Sequence, residues 1–191
     1  MSADVVLLGP PGSGKGTQAV RLTDKYGIPQ IATGDILRAQ VDAGTRLGRR
    51  ITDYLDRGEL VPDSLVVDII RHRLSDADAQ HGFVLDGFPR TVPQAEALDL
   101  LLAELKRPLD AVIYLDVDRH SLLERLGHRA VVDQRSDDRP DVIVHRIDVF
   151  LEQTAPLIDY YREHGKLRLI DGTRSADEVA TAIDGIFQSI S

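Results

Sequence analysis

Short apolar segments alternating with longer segments of helical spacing predict an α/β fold, a parallel sheet with helices on both faces. Three observations carry that prediction. Five segments of strand type, at 4–8, 30–32, 82–86, 109–116 and 166–170, punctuate the whole chain. The first runs directly into a loop of breakers, Gly9-Pro10-Pro11-Gly12-Ser13-Gly14-Lys15-Gly16-Thr17, and a polar segment of helical spacing follows it. Polar turns stand at the C-terminal ends of other strands, at Thr33-Gly34-Asp35, Asp86–Arg90 and Asp171-Gly172. Ligands of parallel α/β sheets bind at those ends.

The elements follow in order. Ala19, Leu22 and Tyr26 lie on one face of a helix over 17–26 that Gly27 stops. Pro29 admits the strand 30–32, and Thr33 or Asp35 caps a helix over 36–43 that ends at Gly44. Thr45 starts a helix to about Arg57, closed by Gly58, and Asp63 or Ser64 caps another to about Leu74. The two short helices before Leu60-Val61-Pro62 resemble an insertion. The strand 82–86 ends in Asp86, and Thr91 with Pro93 opens a helix to about Leu105. Ala111-Val112-Ile113-Tyr114-Leu115 is the clearest strand, followed by a helix over 119–126 and a polar, charge-dense segment over 127–140. Ile143, Ile147, Phe150, Leu157 and Tyr161 mark a long helix bent at Pro156. The strand 166–170, the turn 171–173 and a helix over 176–190 close the chain.

Composition removes several functions. The chain has 191 residues with 42% hydrophobic and 28% charged, ordinary for one globular domain with small insertions. A net charge of −8 argues against a nucleic-acid or membrane partner, since both require a basic face. The absence of cysteine excludes disulfides and Cys-based zinc sites. No basic n-region or membrane-length apolar run is present, so the expected location is cytoplasmic. No heptad or unassigned apolar stripe suggests a partner subunit, so a monomer is expected. The basic residues are 19 Arg against 4 Lys, and Arg carries the planar fork that suits phosphate.

Strand, Gly-x-x-x-x-Gly-Lys, helix is the phosphate-binding P-loop in its proper context. Glycines let backbone N–H groups converge on one anion, the helix N-terminus adds its dipole, and Lys15 adds a full charge. Chance places such a pattern in on the order of a few chains per thousand of this length. The hydroxyl residue that usually follows the lysine is replaced by Gly16, with Thr17 one place later. Asp86, at the end of an apolar strand, stands where the magnesium-side acid of P-loop enzymes stands. With Gly16 in the hydroxyl position, Asp86 is expected to reach Mg²⁺ through water. Asp35 and Asp116 are lesser metal candidates, since capping accounts for both.

Gly9–Gln18 (GPPGSGKGTQ), Thr33–Arg38 (TGDILR), Leu60-Val61-Pro62, Asp86–Arg90 (DGFPR) with Gln94, and Asp171-Gly172-Thr173 fall in the order and spacing of the adenylate kinases. The resemblance covers nearly the whole chain. It implies reversible phosphoryl transfer between ATP and AMP, with Mg²⁺, giving two ADP. It also implies a P-loop NTPase-type five-stranded parallel sheet with a helical nucleoside-monophosphate insertion and a lid. By matching position, Gly12, Ser13, Gly14, Lys15, Gly16 and Thr17 would wrap the ATP phosphates, with Gly172 on the ATP side. Thr33 and Arg38 would hold AMP, Glu59, Leu60 and Val61 would line its adenine pocket, and Gly87, Phe88, Pro89 and Arg90 would complete the site. Gln94 would read the adenine edge; UMP/CMP kinases of the superfamily normally carry Asn there.

Four more arginines fit the family's spacing. Arg125 and Arg129 are one helical turn apart, and Arg135 and Arg146 straddle the start of the long helix. The resemblance gives Arg125 to the ATP adenine, Arg129 and Arg135 to phosphates, and Arg146 to both nucleotides. Lys15, Arg90, Arg129, Arg135 and Arg146 are thus the expected catalytic set. Only Ala130–Gln134 separate Arg129 from Arg135, so the lid is a short loop and the zinc found in some longer lids drops out. The expected division is a core of 1–31, 62–126 and 139–191, an AMP-binding insertion at 32–61 and a lid at 127–138. A UMP/CMP or other monophosphate kinase is the alternative enzyme, and a non-catalytic adenine-nucleotide binder the alternative outside catalysis.

Overall fold

The computed structural model describes residues 3–133 and 139–190, and of 131–133 the helical backbone alone. Five parallel strands form one sheet: β1 (Asp4–Leu8), β2 (Gln30–Ala32), β3 (Phe83–Asp86), β4 (Ala111–Asp116) and β5 (Leu167–Asp171), in spatial order β2-β3-β1-β4-β5. Val5 of β1 is level with Val84 of β3 and with Ala111 of β4. The chain order reverses around β1, which places a crevice over its C-terminal end.

Strand alternation divides the core into two layers. Val6, Leu8, Leu85 and Val112 face a layer built with α4 (Asp63–Leu74), α5 (Val92–Glu104) and α8 (Pro156–Glu163). Val5, Leu7, Val84 and Ile113 face α1 (Lys15–Tyr26) and α9 (Ala176–Ile190), where Tyr26 and Phe187 stack with ring centres 4.6 Å apart. Each fully buried Leu, Ile or Phe contributes about 2 kcal/mol from area removed from water. Between β2 and α4 stand α2 (Thr33–Asp42) and α3 (Arg46–Arg57). Thr45 caps α3 by accepting the Gly48 N–H, and left-handed Gly58 ends it. None of the described helices is long and apolar enough to cross a membrane.

Several elements differ from the sequence expectation. The helix α2 begins at Thr33 itself, so its cap position falls on Ala32, which has no side-chain acceptor, and the Thr33 hydroxyl bonds to Gly87 O instead. Asp63 and Ser64 do not cap α4 either; Pro62 occupies the cap position without a side-chain bond. The helix α6 (Arg119–Asp133) runs seven residues past its expected end at Leu126, through part of the expected lid. Leu122 and Leu126 pack with Ile143 and Ile147 of α7 (Pro140–Val149), and that burial outweighs the propensity cost of an exposed Gly127. The long helix bends before Pro156 through a widened turn over Phe150–Thr154, closed by Ala155 N–H to Phe150 O at 2.8 Å. Proline removes one helical donor and its ring crowds the preceding turn, so the ladder opens by one residue.

Candidate active site

The turn after β1 builds the phosphate end of the site. Gly12 has φ 83°, and a Cβ there would lie 2.8 Å from Leu126 Cγ, so the loop passes beneath α6 only as glycine. Lys15 folds back over the loop and donates to the carbonyls of Gly9 at 2.8 Å and Pro10 at 3.0 Å. The Ser13 hydroxyl is buried with no hydrogen-bond partner among the described residues, a group that a bound phosphate completes.

Charges from several elements act on Lys15. Burial lowers its pKa to about 8; Asp86 opposes the shift, and Arg90, Arg146 and Arg129 deepen it. Arg90 follows β3, Arg129 lies on α6 and Arg146 on α7, so three separate elements aim cations at one lysine. A polyanion relieves that repulsion.

The acceptor side is tied together by backbone carbonyls. Thr33 donates to Gly87 O at 2.8 Å and to Asp86 O at 3.3 Å, joining the start of α2 to the loop after β3. Arg90 Nε donates to Gly87 O at 2.9 Å, and the Phe88–Pro89 peptide is cis. Arg38 pairs with Asp35 one turn back on α2 at 2.5 Å. Gln94 accepts the Arg90 backbone N–H at 2.8 Å and donates to Asp63 Oδ1 at 2.7 Å.

One cleft of about 720 Å³ joins these parts. Its wall includes Gly12, Ser13, Gly14, Lys15, Gly16, Thr17, Arg125, Arg129 and Gly172 of the expected donor side, together with Arg146, expected at both nucleotides, and the metal candidate Asp86. Arg38, Leu60, Gly87, Pro89 and Arg90 of the expected acceptor side line the same space. Arg125 reaches across to Thr173 O at 3.5 Å, next to Gly172. Thr33, Glu59, Val61, Phe88 and Gln94 are not part of the wall; Thr33, Val61, Phe88 and Gln94 are buried behind it, and the Glu59 carboxylate pairs with Arg57. Arg135 lies outside the described residues. Phe150 and Thr154 of the widened turn also line the cleft, as does Gln30, which donates to Asp86 at 3.3 Å. The sequence reading missed these three; Pro156 was the signal for the turn, and nothing marked Gln30.

Among the described residues no group of three or more His, Asp or Glu gathers as a metal cage. The donor set at the loop is the single carboxylate Asp86, whose Oδ2 lies 3.6 Å from the Cβ position of Gly16. One carboxylate facing a phosphate cradle fits magnesium, which keeps several waters and takes its other ligands from phosphates.

The fold and this cleft define a P-loop enzyme of nucleotide phosphates. A model of the adenylate kinase family matches residues 7–166. The chain is 50% identical to an adenylate kinase of Xanthomonas campestris pv. campestris over 94% of this chain and 96% of that protein. It is 46% identical to the adenylate kinase of Methanosarcina acetivorans, covering 92% of this chain and 94% of the relative. With that of Methanosarcina barkeri it shares 43% identity over 97% and 98% of the two chains. This chain belongs to the adenylate kinase family.

Proposed function

We infer that the chain catalyses reversible phosphoryl transfer between ATP and AMP, giving two ADP, and that Lys15 with the arginines around it performs the electrostatic work. An oxygen of the AMP phosphate attacks the terminal phosphorus of ATP in line. The bond from that phosphorus to its bridging oxygen breaks, and its electron pair leaves with ADP. No protein nucleophile takes part, and all six histidines are exposed. The protein's task is to hold two polyanions in register and to neutralise charge spreading over the transferred group.

Residues Gly12–Thr17 wrap the donor phosphates, and Lys15 faces the transferred group. Arg125 and Gly172 flank the donor nucleoside. Thr33 and Arg38, Glu59–Val61 and Gly87–Arg90 form the acceptor site, with Gln94 on the adenine edge. Arg129, Arg135 and Arg146 clamp the phosphates between the two sites. Asp86 would hold Mg²⁺, which would supply charge neutralisation on the ATP phosphates. The insertion 32–61 and the lid 127–138 close over the ligands and limit ATP hydrolysis. The reaction belongs to a cytoplasmic monomer acting on free nucleotides.

One observation carries this reading: the acceptor-side Arg90 and the donor-side Arg129 both act on the Lys15 ammonium, and both line one cleft. A coupled assay of ADP formation from ATP with AMP, CMP, UMP or GMP tests it, and AMP is the expected preferred acceptor. Arg90→Ala is expected to cripple transfer to AMP while ATP binding, followed calorimetrically, survives. Wild-type AMP kinetics in that variant would remove Arg90 from the acceptor site.

A further inference from the structure

Gln94 is held by two groups of opposite and fixed polarity. Its Oε1 accepts the backbone N–H of Arg90 at 2.8 Å, and a backbone N–H can only donate. Its Nε2 donates to Oδ1 of Asp63 at 2.7 Å, and a carboxylate can only accept. The other oxygen of Asp63 takes the Thr91 hydroxyl at 3.0 Å, which anchors the carboxylate between the start of α4 and the cap of α5. Gln94 is 1% exposed, so water cannot compensate an inverted amide. Inversion would set N–H against N–H and oxygen against carboxylate, leaving two buried groups unsatisfied.

We propose that Asp63 is a specificity-positioning residue: it locks the Gln94 amide in the orientation that complements adenine and rejects a 6-oxopurine. The lock leaves Gln94 one lone pair on Oε1 and one hydrogen on Nε2. Adenine offers an N6–H donor beside an N1 acceptor, which fits that pair. Hypoxanthine and guanine offer an O6 acceptor beside an N1–H donor, which fits only the inverted amide. A freely turning glutamine would serve both classes. Asp63 and the Arg90 N–H together remove that freedom, and the base meets the edge as the insertion 32–61 moves to admit it. The proposal rests on Gln94 facing the acceptor base.

The test compares AMP with IMP as acceptors, since they differ on this edge and little elsewhere. The readout is the ratio of kcat/KM for AMP over IMP, in wild type, Asp63→Leu, Asp63→Ala and Gln94→Ala. Loss of the carboxylate leaves a single lock, so the ratio is expected to fall about tenfold in both Asp63 variants, mainly through acceptor KM. A merely structural Asp63 would weaken AMP and IMP alike and leave the ratio unchanged. An unchanged ratio in folded Asp63→Leu, with a lowered ratio in Gln94→Ala, overturns the lock while the base-reading role of Gln94 stands. An unchanged ratio in Gln94→Ala overturns that role and the lock with it. Asp63→Leu keeps the γ-branched side-chain shape but offers no acceptor, so the comparison stands if Asp63→Ala fails to fold.

Discussion

The strand β1 has a half-buried cation near each end, and the two are treated in opposite ways. At its start, Asp4 and Arg107 meet through two bonds, Nη2 to Oδ1 at 2.5 Å and Nε to Oδ2 at 3.0 Å. Arg107 also donates to Ala79 O at 2.8 Å and lies over the Phe83 ring at 5.4 Å, while the Asp4 N–H goes to Asp110 at 2.8 Å. Burial raises the Asp4 carboxyl above its ordinary value, and Arg107 opposes that rise. At the far end, Lys15 has one opposing carboxylate, Asp86, and three cations acting on it. The first end is closed on itself and belongs to the fold. At the second, burial and neighbouring cations lower the Lys15 pKa, and the residues that act on it line an open cleft.

Separate variants at the two ends sharpen this contrast. Arg107→Ala leaves Asp4 buried without its guanidinium, and unfolding in urea is expected to show a loss of about 4 kcal/mol. Turnover per folded molecule should hold, because no cleft residue is touched. Lys15→Met is expected to do the reverse. Losing the charge-assisted phosphate contact should lower kcat by roughly 3 kcal/mol, more than a hundredfold. The empty variant should melt no lower than wild type. The folded-state pKa of Lys15 lies below its unfolded value, so at pH 7 its charge works against folding, and Met removes that cost. A kinetic effect from Arg107→Ala comparable with that of Lys15→Met would break the division between the two ends.

The sequence made the first contrast visible only in part. The loop, its lysine, the five strands and the caps at Thr45, Gly58 and Thr91 were legible, because each depends on residues within a few positions. Asp63 was read as a helix cap, since an acid before an apolar run is the usual cap signal. Its real partner, Gln94, is 31 residues away and fixed by the packing of α4 against α5. The helical spacing that the sequence shows ends at Leu126, although contacts of Leu122 and Leu126 with α7 carry the helix on. Arg107 and Asp4 gave no signal at all, as their pairing spans 103 residues and requires the finished sheet. Long-range polar pairs are set by topology, which local patterning does not encode.

Burial and the cations of Arg90, Arg146 and Arg129 disfavour the charged form of Lys15 in the empty site. Near pH 8 about half of the empty molecules lack the Lys15 proton, and bound phosphate should restore it. ATP binding measured calorimetrically at pH 8, in buffers of different ionisation enthalpy, reads that proton directly. The account predicts net uptake approaching about half a proton in wild type relative to Lys15→Met, and ATP affinity that falls as the pH rises through 8. Equal proton exchange in the two proteins, with a flat affinity across that range, would contradict it.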